Sequence, residues 1–209
     1  MGHTKGETTR RAILDAAIAR FGRDGYRATS VAAIARDAGV GGTVAYAYFE
    51  DKETLFLAAV DEDAAAVIHE GVTTVIDQLD KHDWRTSLIF TLLDAVDHHP
   101  LARRLLAGLE PEVTERVLDL PALADLRKAV TERLRAEQLA GEVRNDIDPA
   151  TMASGIVAIF LSLLMSVVQI GRGAALAHGP DIAAVIQAAL LSPPGTPSRG
   201  SRRSGHGSP

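Results

Sequence analysis

One stretch, Thr29 to Glu53 (TSVAAIARDAGVGGTVAYAYFEDKE), constrains the fold more than any other. Val31, Ile34, Ala35 and Ala38 recur at i, i+3, i+4 and i+7, which makes one apolar stripe on a short helix. Thr29 or Ser30 stands where a side-chain oxygen can accept from an orphan backbone N–H at the helix start. Gly39 follows the stripe, and a helix commonly ends on a left-handed residue that glycine supplies without a Cβ penalty. A second short helix is predicted from about Gly42 to Tyr48. Its small residues Gly42, Thr43 and Ala47 allow close approach to another surface, with Val40, Val44 and Phe49 as anchors behind it. Two short helices across a glycine-containing turn match a helix-turn-helix, whose second helix enters the DNA major groove.

The flanking sequence is helical in pattern. Leu14, Ala17, Ile18 and Phe21 predict a helix over 8–24, with Thr8 or Thr9 as cap and Gly25 as stop. Tyr26 is expected in the core under the helix-turn-helix. Arg10, Arg11 and Arg27 flank helix ends and are candidates for phosphate contact or plain solvated charges. Asp51 is the expected cap of a helix that starts at Lys52 and runs to about Leu79. Its N-terminus offers N–H groups and a positive dipole end to a phosphate. This helix joins the two parts of the chain, either as a transmission element or as a plain connector.

Beyond it, Leu88, Leu92 and Val96 stripe a helix from Trp84, while Ser87, Thr91, Asp94 and His98 form a polar line that reads as a solvated face or a pocket lining. His98 and His99 before Pro100 read as C-terminal caps. Residues 101–118 read as two short, broken helices around Pro111, and the next helix starts at Pro121 and stops at Gly141. Asp148-Pro149 is a strong helix start, a cap followed by proline at the first helical position. The segment after it, to about Ile170, is apolar nearly all round and so is expected to be buried on all sides. It is interrupted by Ser162, Ser166 and Gln169, which argues against a membrane span. Ser154, Ala158, Ser162 and Ser166 lie every four residues and permit close helix approach. A last helix is predicted from Pro180, with Ile182, Val185, Ile186 and Ala189 on one face. Two such helices per subunit can pair across a two-fold axis as a four-helix interface. Residues 193–209, rich in Pro, Gly, Ser and Arg, carry nothing to bury and are expected to be disordered.

Composition excludes more than it identifies. Cysteine is absent, so there is no disulfide, thiol nucleophile or cysteine zinc site, which fits a reducing cytoplasm. The first residues, MGHTKGETTRR, lack the apolar core of a signal peptide. The net charge of −5 is unevenly spread: residues 1–52 hold eight Lys/Arg against six Asp/Glu, the remainder fourteen against twenty-one. A mildly basic front on an acidic body suits a local phosphate-facing surface. No Walker loop or His-Glu-x-x-His motif occurs, and Gly39-x-Gly41-Gly42 lies between helices rather than after a strand, so no catalytic, metal or cofactor site is expected.

The 29–53 stretch resembles the DNA-binding domain of the tetracycline-repressor (TetR) family. The matching residues are Thr29, Ile34-Ala35, Ala38-Gly39-Val40, Tyr46, Tyr48-Phe49 and Lys52-Glu53, in order and without a gap; Gly41, Gly42 and Thr43 depart from the pattern. The resemblance implies an all-α chain with a three-helix DNA-binding domain over 1–51 and a helical effector-binding and dimerisation domain over 52–192. It implies a homodimeric, ligand-responsive repressor on a palindromic operator, with no enzymatic activity. Thr29, Tyr48 and Lys52 would bind phosphates, and Gly42, Thr43, Val44, Tyr46 and Ala47 would meet the groove. Phe90, Asp94, Phe160, Leu164 and Met165 are candidate walls of a pocket for a small hydrophobic effector, and Ser154, Ala158, Ser162, Ser166, Ile182, Val185, Ile186 and Ala189 candidate dimer contacts. The rival readings are an activator with the same DNA contacts and a helical ligand-binding protein or enzyme whose front domain is only structural.

Overall fold

The computed structural model describes residues 5–75, 84–111 and 119–191 (for 73, 74 and 174–178 the backbone only). Every regular element among these residues is a helix: α1 Lys5–Ala28, α2 Val31–Asp37, α3 Gly42–Tyr48, α4 Lys52–Val75, α5 Trp84–His98, α6 Pro100–Leu106, α7 Pro121–Leu139, α8 Pro149–Ile170 and α9 Arg172–Leu190. The fold is all-α, with a head of α1–α3 and a body of α4–α9.

The head closes over Ile13, Leu14, Ala17 and Phe21 of α1 and over Val31, Ile34 and Ala35 of α2, all buried. Phe21, Tyr26 and Phe56 form an aromatic cluster that welds the head to α4, with Phe56 edge-on to Phe21 at 4.9 Å and tilted against Tyr26 at 4.9 Å. In the body α4 packs on α5, α6 and α7, α7 on α8, and α8 on α9. Trp84, Leu88, Leu92, Leu101, Leu134 and Ile156 fill the centre.

Several boundaries differ from the sequence reading for identifiable reasons. Helix α1 already runs by Lys5, so Thr8 and Thr9 are not caps, and the Thr9 hydroxyl donates back to the Lys5 carbonyl at 3.0 Å. Gly25 does break it, with φ 82° and ψ 168°. Helix α9 begins at Arg172, directly after the sharp turn at Gly171, and Pro180 lies inside it. A proline there removes one backbone hydrogen bond and crowds the carbonyl four residues earlier. Helix α8 is not buried on all sides in the single chain: Ala153, Ile156, Val157, Phe160, Leu164 and Val167 are buried, while Ser154, Ala158, Ser162 and Ser166 are exposed. By length and composition alone this helix could cross a membrane. The expected extension of α4 to Leu79, residues 112–118 of the two short helices expected over 101–118, and the tail 193–209 lie outside the described residues.

Candidate nucleic-acid interface and effector cavity

Local chemistry sets the geometry of the head. Ser30 caps α2, its Oγ accepting from the Ala33 N–H at 3.2 Å. The C-terminus of α2 ends in a two-bond Schellman closure: Gly39 N–H donates to Arg36 at 3.1 Å and Val40 N–H to Ala35 at 2.9 Å. Gly39 has φ +70°, the left-handed conformation this closure needs. The chain then turns at Gly41 into α3.

Helix α3 shows almost everything it has. Only Ala45 is buried; Gly42, Thr43, Val44, Tyr46, Ala47 and Tyr48 all face outward. Val44, expected as an anchor, is exposed, and Ala45 takes that place together with Phe49 and the half-buried Val40. Lys52 opens α4 with its Nζ 4.3 Å from the Tyr26 ring centre. Asp51 caps α4, accepting from Thr54 N–H at 2.7 Å, and that backbone bond holds its carboxyl below the usual range. One of the N–H groups imagined for a phosphate is therefore already taken. Thr29 is buried, and its hydroxyl donates to the Gly25 carbonyl at 2.8 Å. It fixes the α1–α2 corner from inside.

Three of the head arginines are tied to acids. Arg11 pairs with Asp15 and Glu62, Arg23 with Asp24, and Arg20 grips both oxygens of Asp37 at 2.6 and 3.1 Å. Arg10 instead lies over the Phe49 ring at 5.2 Å, exposed beside the end of α3.

In the body α4–α8 enclose an apolar cavity of about 70 Å³, whose walls include Ile68, Leu92, Ala102, Leu123, Phe160 and Leu164. A second cavity, about 210 Å³, opens between α5, α7, α8 and α9, with Arg85, Glu137, Phe160, Ile186 and Gln187 on its wall. Of the expected wall residues, Phe160 and Leu164 are brought to the apolar cavity and Phe160 to both. Met165 is half-buried against the core but on neither wall. Phe90 is about half exposed, and Asp94 is at the surface, paired with Arg172 at 3.1 Å. Among the described residues no group of three His, Asp or Glu is arranged to hold a metal ion.

Residues 13–59 match the family model described as bacterial regulatory proteins, tetR family. Residues 13–59 thus match the TetR-family DNA-binding domain, and the chain as a whole shares its fold with solved TetR-family regulators. A TetR-family transcriptional regulator from Mesorhizobium loti superposes with a TM-score of 0.69 over 91% of this chain and 100% of its own, at 23% identity. FadR from Bacillus subtilis, solved with stearoyl-CoA, gives 0.63 over 86% and 98%, at 18% identity. FadR from Thermus thermophilus, a TetR-family repressor solved with lauroyl-CoA, gives 0.63 over 90% and 97%, at 18% identity. No curated protein sequence matches this chain. The TetR-family neighbours are transcription regulators, not enzymes.

Three clusters and one close helix approach in this chain escaped the sequence reading. The Glu110 carboxylate, buried, accepts from Tyr26 N–H at 3.2 Å and from Arg104 Nε at 2.5 Å, so it clasps the Gly25 kink to the body. Helix α1 passes so close to α6 that a Cβ on Gly22 would lie 2.8 Å from Pro100 Cβ. His99, read as a dipole cap, instead meets Asp63 at 2.8 Å and Glu70 at 3.2 Å, both from α4, while Asp63 also accepts from Ala102 N–H at 2.8 Å. Burial opposes a charge on His99, but the two carboxylates outweigh it and raise its pKa above the ordinary value. Finally, Trp84, Arg85 and Arg133 converge on the buried Glu137. Each cluster joins residues far apart in the chain, and no local spacing announces it.

Proposed function

We propose that the chain is a cytoplasmic homodimeric repressor that binds a palindromic operator and releases it when a small apolar effector occupies the body. The observation that carries the reading is α3: a helix with one buried residue, set on a packed head, with Thr43, Val44, Tyr46 and Ala47 turned outward. Thr43 supplies a hydroxyl for a base edge, and Val44 or Ala47 can touch a thymine methyl. Tyr48 and Lys52 are the phosphate contacts at the end of α3 and the start of α4, joined by Arg10; Thr29 serves by holding the corner. Residues 40–49 contain no Arg, Asn or Gln, so bidentate base contacts are few and DNA shape carries part of the discrimination.

Domains of 1–51 and 52–192 follow from this division of labour. The exposed small-residue face of α8, with Val185 on α9, is the surface for the second copy; half-buried Ile182 and Ala189 flank it, and Ile186 packs inside its own chain. Two recognition helices on one face of a duplex need half-sites about 34–36 Å apart or a multiple of that. The apolar cavity reaches the head through α6: Ala102, Leu105 and Leu106 line it, and the same helix abuts α1. An effector that prefers one seating of α6 and α4 thus shifts the spacing of the heads. The acyl-CoA complexes of the two FadR proteins support an acyl-type effector.

Selection of bound sequences from a random duplex pool, followed by anisotropy titration at several salt concentrations, tests this. Dimeric binding to an inverted repeat is expected, with Lys52→Ala lowering the salt slope by about one. A monomer in solution, or no duplex binding at low salt, would overturn the reading.

A further inference from the structure

We propose that the two body cavities form one bipartite site for a neutral amphiphile, with its apolar chain in the smaller cavity and a carbonyl-bearing head on Arg85. This deepens, and rests on, the ligand-responsive reading above.

The head site is built around a buried, three-fold hydrogen-bonded carboxylate. Glu137 is buried and accepts from Trp84 Nε1 at 2.6 Å, from Arg133 Nε at 3.2 Å and from the Arg85 guanidinium. Three of its roughly four acceptor sites are therefore used. The Nε of Arg85, by contrast, is buried and has no hydrogen-bond partner among the described residues. A buried donor left unmet is costly, and an acceptor oxygen on a ligand removes that cost. Arg85 belongs to the wall of the larger cavity, together with Thr86 and Gln187, which can satisfy a second polar atom.

Charge selects the kind of head. Two guanidinium groups, Arg85 and Arg133, stand against two carboxylates, Glu137 and Glu142, the latter on the same wall. The site is balanced, and a free carboxylate would bring a third anion beside the other two. An ester or amide carbonyl accepts from Arg85 without that penalty.

Shape selects the rest. Ile182, Ile186 and Leu190 give the larger cavity an apolar wall. Phe160 is common to both cavities, and beyond it the smaller one is lined by aliphatic residues of α4–α8. In the proposed bound state the Phe160 ring turns aside and joins the polar mouth to the apolar interior. Ile182 and Ile186 lie on α9, so an occupied site would also bear on the proposed dimer surface.

Trp84 is the lone tryptophan of the chain, buried, bonded to Glu137 and 4.6 Å beneath the Arg85 guanidinium carbon. Its emission therefore reports the head site without reference to DNA. The full chain is titrated with methyl octanoate and with octanoate, as wild type and as Arg85→Lys, which keeps the charge but loses the Nε donor. Saturable change of Trp84 emission with the ester is expected, weaker binding of octanoate, and a loss of about tenfold for the ester in Arg85→Lys. Equal ester affinity in Arg85→Lys with an unaltered melting temperature would overturn the proposal. So would a preference for octanoate, or binding seen by thermal shift with silent Trp84 emission, which puts the ester in the apolar cavity alone. If Trp84 responds and Arg85→Lys weakens binding while operator affinity stays constant, the site stands and the repressor–effector reading fails.

Discussion

Helices α3 and α8 both turn small side chains outward, but they rest on very different support. Helix α3 has seven residues, one of them buried, and its N-cap Gly41 offers no side-chain hydrogen bond. Helix α8 has 22 residues, six of them buried, with Asp148 accepting from both the backbone N–H and the hydroxyl of Thr151 and proline at its first position. A seven-residue helix is not stable alone in water. Its existence and its direction are imposed by Phe49, by the Schellman turn and by α1 and α2. A surface held by its neighbours can be re-aimed by them, whereas α8 is anchored along its length and suits a fixed platform. On the proposed reading, small side chains thus serve two ends: at α3 they would admit DNA to an element its neighbours can re-aim, and at α8 a second copy to one anchored along its length.

The sharpest way to break this contrast is to cut into each helix separately. Ile156→Ala removes a fully buried side chain from α8, and a loss of about 2–5 kcal/mol is expected in denaturant unfolding. Tyr46→Ala on α3 removes a larger side chain that is half exposed, and its stability change is expected within about 0.5 kcal/mol, with operator affinity falling instead. If Tyr46→Ala destabilised the fold as strongly as Ile156→Ala, α3 would be a structural element and not a presented one.

Next in size is Gly25→Ala. The backbone there, φ 82° and ψ 168°, lies in a region open essentially to glycine, and a Cβ would sit 2.4 Å from the Arg104 guanidinium and 2.8 Å from Glu110 Oε1. A loss of about 1–3 kcal/mol is expected from the backbone alone. Because the kink aims α2 and α3, operator affinity should drop more than stability accounts for. An Ala variant that binds the operator normally would show that α3 is not aimed through this corner.

The head was legible because its signals are local. Ser30, the 31–38 stripe and Gly39 lie within ten residues and act on one another directly. The misplaced anchor, Val44 for Ala45, shows where this stops: a helix of two turns leaves the phase of its buried face open, and a tight contact prefers the smaller side chain. The body's helices were legible as periodic stripes and its site was not. Glu137 meets Arg85 across 52 residues and His99 meets Asp63 across 36, so their roles exist only after packing. Phe90 and Asp94 share a helix with true core residues and turn away from it. The N-terminus of α9 was missed because Pro180 is a strong local start signal, overruled by the turn at Gly171.

A gentler test of α3's dependence on its neighbours is Ser30→Ala. The Oγ that accepts from Ala33 N–H is lost, and about 1 kcal/mol of stability should go with it, measured by thermal or denaturant unfolding. The effect on operator binding should be larger than for a cap in the body, because α2 is one of the few elements that holds α3.

The smallest expected effect separates the body's rigidity from a charge clasp within it. His99 joins α4 to the start of α6 through Asp63 and Glu70, and its pKa is raised in the folded chain. A raised pKa means that folding favours the protonated ring. The clasp therefore contributes fully below the ordinary histidine value of about 6.5 and is lost as pH rises through the higher folded value. Stability measured across this window should decline with pH in the wild type. His99→Gln should flatten that decline while leaving Asp63 bonded to Ala102 N–H. Since α6 touches both the apolar cavity and α1, the same window should show a modest change in operator affinity. A wild-type stability profile parallel to that of His99→Gln would remove the clasp from the link between cavity and head, leaving the Glu110–Gly25 corner to carry it.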